Sequence, residues 1–273
     1  MFLRELKEMD IMLFITGDCD KDYTRFQLEN FPQQLQMTKD DYVIVCGNFG
    51  AVWYGEDDPQ KEQEERELDW LESLPFTILF LDGNGDNFEQ LNKYPEKEWN
   101  GGRVHEIRPS ILYLIRGEVF ELCGKKIFAF GGSDYIGVGD DFFEWDEEGT
   151  WKKEACECEE KDWGYSLRFK KQDKCVEPTK DDIENAIRNL EKHDYKIDYM
   201  VTFTESQSEY FTYVCCERGA TLGCCVSGSF LTDAFDEIAK KVSCDRWFVG
   251  HHHRDIETVR KVRFIYKDFV QLA

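Results

Sequence analysis

The chain has 273 residues, 41% of them hydrophobic and 15% aromatic, which is enough apolar material for one closed α/β domain near the upper end of single-domain size. Its 56 carboxylates against 34 lysines and arginines give a formal charge of -22, so the averaged field repels nucleic-acid backbones and anionic membranes. Non-specific nucleic acid and membrane are thereby excluded as partners, whereas a local cationic or metal-bearing pocket can still capture one phosphorylated small molecule, and an acidic surface suits a basic protein partner.

Met1 to Asp10 is too polar for the apolar stretch of a signal peptide, and no run nears the roughly 20 apolar residues of a membrane span, so a cytoplasmic location is expected. Ile11 to Thr16, Tyr42 to Cys46 and Phe76 to Leu81 are short apolar runs ending at Gly or Asp-Gly, and they read as buried strands. Between them Asp22 to Gln36 and Gln60 to Leu74 read as helices. The second sets Leu68, Leu71 and Leu74 at helical spacing, with Glu62 to Glu67 as a solvated face. Such alternation predicts a parallel sheet with right-handed crossovers, whose ligands collect beyond the carboxyl ends of the strands. Gly17-Asp18, Gly47-Asn48 and Gly83-Asn84 fall at those ends.

Beyond Arg103, the runs Ile111 to Ile115, Val119 to Leu122 and Lys126 to Phe130, with Gly117 and Gly124 at the turns, predict an antiparallel meander forming a second sheet. Residues from about 139 to 180 are acidic and without a core pattern, and read as a surface insertion in a single domain spanning 1–273. Asp181 to His193 and Phe230 to Val242 read as helices, Tyr199 to Phe203 and Trp247 to Val249 as strands, and Val262 to Tyr266 as the last strand. The expected fold is α/β, a layered sandwich of two sheets flanked by helices. The eleven cysteines are expected to be reduced thiols. The pairs Cys156 and Cys158, Cys215 and Cys216, and Cys224 and Cys225 lack the interval of two to four residues that structural zinc pairs use.

The strand ends, read in order, carry Gly17-Asp18-Cys19-Asp20, Gly47-Asn48, Gly83-Asn84-Gly85-Asp86, Thr202-Phe203-Thr204 and Gly250-His251-His252-His253. With Phe49 to Gly55, Gly101 to Arg108 and Phe130-Gly131-Gly132, this series resembles a bacterial branch of the calcineurin-like metallophosphoesterases over nearly the whole chain. In that family Asp-x-His, Gly-Asp, Gly-Asn-His followed by an acid, a later strand-end His and Gly-His-x-His hold two divalent metals, whose bridging hydroxide attacks phosphorus. The resemblance implies a metallophosphoesterase-like sandwich of two mixed sheets and places Asp18, Asp20, Asn48, Asn84, His251 and His253 at metal-binding positions. Matches stand at Asp18, Asn84, His251 and His253. Departures stand at Asp20, Asn48, Gly85 and Phe203.

Those departures have chemical consequences. Asn48 puts a neutral amide where the family has a bridging carboxylate, and Phe203 removes an imidazole, so Asn48, Asn84 and His251 form a second set with no anionic ligand and a weak or empty site is expected there. Asp18, Asp20, Asn48 and His253 remain a credible set for at most one divalent cation (Mn, Mg, Fe or Zn). Gly85 supplies no imidazole at the family's catalytic position, and Asp86 beside it is expected to point elsewhere. Two functions follow. The first is a degenerate homologue with weak or lost phosphoester hydrolysis that acts through a retained phosphate-type pocket or by partner binding. The second is an active phosphatase or phosphodiesterase that uses one metal. Lys21 reads as a solvated side chain, with insertion between Asp18 and Asp20 as the alternative. His252 reads as loop, His105 and His193 as surface or satisfied polar groups, and Trp53 and Tyr54 as core or pocket wall.

Overall fold

The computed structural model describes residues 11–133, 156–161, 164–169, 177–210, 212, 229–258 and 261–272. The apolar runs at the amino-terminal side become β1 (Leu13–Thr16), β2 (Tyr42–Val45) and β3 (Thr77–Phe80), which pair in parallel. A hairpin of β4 (Glu96–Trp99) and β5 (Gly102–Arg108) follows, and β5 pairs antiparallel with β6 (Ile111–Leu114), which lies parallel to β3. The hairpin β7 (Glu118–Leu122) and β8 (Lys125–Phe130) opens a second sheet. A separate hairpin pairs β9 (Cys156–Lys161) with β10 (Gly164–Phe169). The second sheet continues with β11 (Tyr199–Thr202), β12 (Arg246–Val249), β13 (Ile256–Glu257) and β14 (Val262–Phe264), and β15 (Val270–Gln271) returns to pair antiparallel with β1. The result is a sandwich of two mixed sheets, of seven and six strands.

Helices cover both outer faces because the strands are apolar on both sides and would otherwise expose one of them. Helix α1 (Lys61–Ser73) buries Leu68 and Leu71 against Phe14, Val45, Ile78 and Phe80 of the first sheet. The short α2 (Phe88–Leu91) seats Leu91 in the same cluster. Between the sheets, Leu13, Ile15, Ile44 and Leu79 meet Phe120, Ile127, Val201 and Phe248. Helices α3 (Lys180–Lys192) and α4 (Phe230–Lys241) cover the second sheet with Ile183, Leu190, Leu231, Phe235 and Ile238. Each begins at a reciprocal capping box, Thr179 with Asp182 and Ser229 with Thr232, which satisfies the first free amides of the helix. Among the described residues no helix is long and apolar enough to cross a membrane.

Three expectations are corrected. Asp22 to Gln36 is not one helix but two 3-10 turns, Tyr23–Phe26 and Pro32–Gln36. Pro32 has no amide to donate and forces Phe31 out of the helical region (φ -136), yet Phe26 and Phe31 still reach the core. Ile111–Leu114 does not belong to the meander of the second sheet. Its run is apolar at both parities, with Ile111 and Tyr113 in the outer cluster and Leu112 and Leu114 in the inner one, which suits a strand covered on both faces. Val262–Phe264 is followed by a further short strand, β15. Of the segment from about 139 to 180, the structure describes the β9–β10 hairpin and residues 177–180. Cys156 and Cys158 fall on β9, and Cys215, Cys216, Cys224 and Cys225 lie outside the described residues.

Candidate metal centre

The carboxyl ends of five strands meet at one edge of the sandwich: Asp18 and Asp20 follow β1, Asn48 follows β2, Asn84 follows β3, Phe203 follows β11, and His251 and His253 follow β12. The two sheets touch at Gly250, where a Cβ would stand 2.1 Å from the Cys46 carbonyl oxygen and 2.5 Å from Asp18 Oδ1. Only glycine permits that approach. Of the ten non-glycine residues with positive φ among the described residues, five lie here, Asp20, Lys21, Asn48, His251 and His253. Left-handed backbone costs energy in ordinary residues, so its concentration in one loop cluster marks a constrained site.

Asp18 is fully buried, and its Oδ1 accepts the His251 backbone amide at 2.9 Å. Its Oδ2 is buried without a hydrogen-bond partner and lies 3.5 Å from His253 Nε2, which in turn lies 3.1 Å from Asp20 Oδ2. Ligand-capable atoms of Asp18, Asp20 and His253 all fall within 4.8 Å of one another. Burial pushes the Asp18 carboxyl above its usual range, against the lowering effect of His253. A buried carboxylate oxygen left without a donor, facing an imidazole and a second carboxylate, is the donor set a divalent cation satisfies, so these residues fit such an ion.

The residues that hold this triad in place lie outside the strand-end motifs. Arg25 donates to Thr16 Oγ1 (3.0 Å), to the carbonyls of Gly17 (2.9 Å) and Tyr266 (2.6 Å), and to the Asp18 carbonyl, tying the ends of β1 and β14 together. Tyr266 stacks on His253, with ring centroids 4.5 Å apart and planes 15° from parallel. Arg25 was hidden inside an expected helix. Tyr266 stood at the end of an expected strand, and that position was the available signal.

The other expected ligands are engaged elsewhere. Asn48 Oδ1 accepts the Gly85 amide at 2.7 Å, and Asn48 Nδ2 donates to Asn84 Oδ1 at 3.1 Å, so both ends of this amide are used within the protein. Phe203 is fully buried with its ring centroid 4.8 Å from that of His251, and its ring carbons crowd the Cα hydrogens of Gly47 and Gly83. An apolar ring thus fills the space between His251 and the Asn48-Asn84 pair. Burial, followed by the charge of His252, drives the His251 imidazole down to about 3, so it is neutral. Asp86 accepts the amides of Gly50 (2.7 Å) and Gly83 (2.8 Å), so both of its oxygens are engaged by loop backbone.

Lys21 does not lie between Asp18 and Asp20. Its ammonium rests 5.0 Å and 5.2 Å from the ring centroids of Trp53 and Tyr54. His252 is not ordinary loop either, since its Nε2 lies 2.9 Å from Glu205 Oε1 with both side chains buried. Burial would raise the Glu205 carboxyl, but His252 outweighs it and leaves it lowered. No sequence pattern separates Glu205 from the polar run that holds it. His105 keeps Nδ1 2.8 Å from the Tyr94 carbonyl and stacks on Tyr113.

No protein-family model matches this sequence, and no curated protein matches it either.

Proposed function

We propose that this chain is a metallophosphoesterase-type protein reduced to one cation position, which binds a phosphate-bearing ligand through a single divalent metal and hydrolyses it weakly or not at all. The observation that carries this reading is the contrast between two halves of one strand-end cluster. Asp18, Asp20 and His253 converge around an unsatisfied buried oxygen, while beside them stand Phe203 and an Asn48 amide already bonded to Gly85 and Asn84, at what would be a second position.

A cation bound at the triad would supply positive charge to offset the charge that gathers on phosphate oxygens. The chain's own residues prepare for that. The His251 amide fixes Asp18 in one rotamer, and the Tyr266 ring holds the plane of His253. What they do not supply is a proton for the leaving group: Gly85 has no side chain, His251 is neutral beneath Phe203, and both Asp86 oxygens already accept backbone amides. Lack of a positioned general acid typically costs a hundredfold or more, which accords with weak turnover.

Calorimetric titration of chelator-stripped protein with Mn²⁺ tests the proposal. One equivalent should bind, and Asp18→Asn or His253→Ala should weaken it by about a hundredfold or more, since even outer partners of metal ligands are worth ten- to a hundredfold. Two equivalents per chain, or fast phosphodiester turnover abolished by Asp18→Asn, would overturn the reading in favour of a working enzyme.

Tyr266→Leu should weaken Mn²⁺ binding by about tenfold by releasing the His253 ring, whereas Tyr266→Phe, which keeps the stack, should bind like the parent. Equal losses in the two variants would show that the phenol hydroxyl, and not the stacking, is what matters.

A further inference from the structure

The turn that assembles the triad is strained. The His252 amide donates back to the Gly250 carbonyl at 2.7 Å, closing a three-residue turn around His251, whose φ is 67°, and His253 follows with φ 48°. A turn of that length with positive φ at its centre is the rare, strained form, and such backbone persists only where its surroundings over-determine it. This one aims the His251 amide at Asp18 Oδ1 (2.9 Å) and sets His253 Nε2 3.5 Å from Asp18 Oδ2.

His252 supplies the hold. Its Nε2 lies 2.9 Å from Glu205 Oε1, with the two side chains 8% and 4% exposed, and its ring stands edge-on to Phe264 with centroids 5.0 Å apart. Glu205 starts from a fixed point, because Trp247 Nε1 donates to Thr202 Oγ1 (2.8 Å), that hydroxyl donates to the Thr204 carbonyl (2.6 Å), and the Gly250 amide donates to the Thr202 carbonyl (3.2 Å). The ends of β11 and β12 thus form a bracket that Glu205 and His252 close. Burying a carboxylate against an imidazole adds little net stability over an apolar pair of similar size, and the second Glu205 oxygen, Oε2, is buried with no hydrogen-bond partner. The pair is therefore a costly way to pack, and what it does secure is the shape of the turn.

We infer that Glu205 is a positioning residue of the cation site: through its hydrogen bond to His252 it clamps the turn over residues 250–253 and so keeps the Asp18 carboxylate and the His253 imidazole at ligand spacing. Neither Glu205 nor His252 belongs to the cluster of ligand atoms formed by Asp18, Asp20 and His253, so both act through the backbone between them. This inference rests on the reading of the triad as a metal position.

Calorimetric titration with Mn²⁺ of the chelator-stripped parent and three variants tests it. Glu205→Leu should still take one equivalent but bind it about tenfold or more weakly, the range found for groups that orient metal ligands. Glu205→Gln keeps an oxygen that accepts from His252 and should bind like the parent. The paired change Glu205→Leu with His252→Leu strands no polar group, so it guards against a fold lost in the single variant, and it should be as weak as Glu205→Leu. Parent affinity in the paired variant overturns the clamp and leaves the metal position standing. Glu205→Gln as weak as Glu205→Leu overturns it too, because the carboxylate charge and not the hydrogen bond would then be what matters. No Mn²⁺ binding by the parent overturns the clamp and the metal reading together.

Discussion

Replacing Asp82 by alanine is expected to cost about 3–5 kcal/mol of folding stability, because it takes from a buried guanidinium its nearest carboxylate. Asp82 lies two residues beyond β3, and its carboxylate accepts from Arg116 Nη2 (2.5 Å) and the Tyr113 hydroxyl (2.9 Å), while its carbonyl accepts the Gly132 amide (2.8 Å). Arg116 is equally buried, lies 4.1 Å over the Phe88 ring and 3.7 Å from Asp182, and comes from the crossover between the two sheets. The pair therefore bolts one sheet to the other directly behind the Gly83 to Asp86 loop. Asp82→Leu combined with Arg116→Met should recover most of the loss, since an apolar pair carries no desolvation penalty. Chemical denaturation of the single and double variants decides the matter. A loss below about 1 kcal/mol for Asp82→Ala would mean that water reaches the guanidinium.

The second large effect is a pH dependence centred on Asp86. Full burial pushes this carboxyl up to about 7, against the lowering effect of the Gly50 and Gly83 amides. A raised folded pKa means that the native state binds a proton that the unfolded chain has already lost. Stability from this group is therefore largest in acid, falls as pH rises from about 4 to about 7, and the penalty is complete above that window. At about 1.4 kcal/mol per pKa unit the full change is roughly 4 kcal/mol, of which 2–3 kcal/mol falls between pH 5 and pH 7. Asp86→Asn carries a constant offset from its changed hydrogen bonds but no titration, so the parent should lose that amount relative to the variant over those two pH units. Repulsion from the net charge of -22 is nearly common to both chains and cancels in the comparison. Parallel stability curves for the two proteins would refute the assignment.

Much of the architecture was legible because it depends on local pattern. Runs such as residues 13–15 and 78–80 are apolar at every position, which only a strand covered on both faces tolerates, and α1 and α3 announce themselves through apolar spacing of three and four. Asp18 was nameable from its strand end, and Asp20 and His253 only from the motif resemblance that set them beside it. Where one strand pattern fits two sheets equally well, as at Ile111–Leu114, the sequence offers no means of choosing, since pairing partners lie tens of residues away.

Composition and pattern thus determined the class of fold, the acidic surface and the identity of the strand-end residues that carry charge. Only the tertiary structure decided which of those residues meet. Asn48 is a chemically adequate oxygen donor until Gly85 and Asn84 are seen to occupy its amide, Lys21 is an ordinary cation until its stem is found across Gly50, and Glu205 is an ordinary acid until it is found buried against His252. The physical reason is the same in each case. Hydrogen bonds and ring contacts are exhausted by whichever neighbour lies within about 3–5 Å, and that neighbour is supplied by a different strand end.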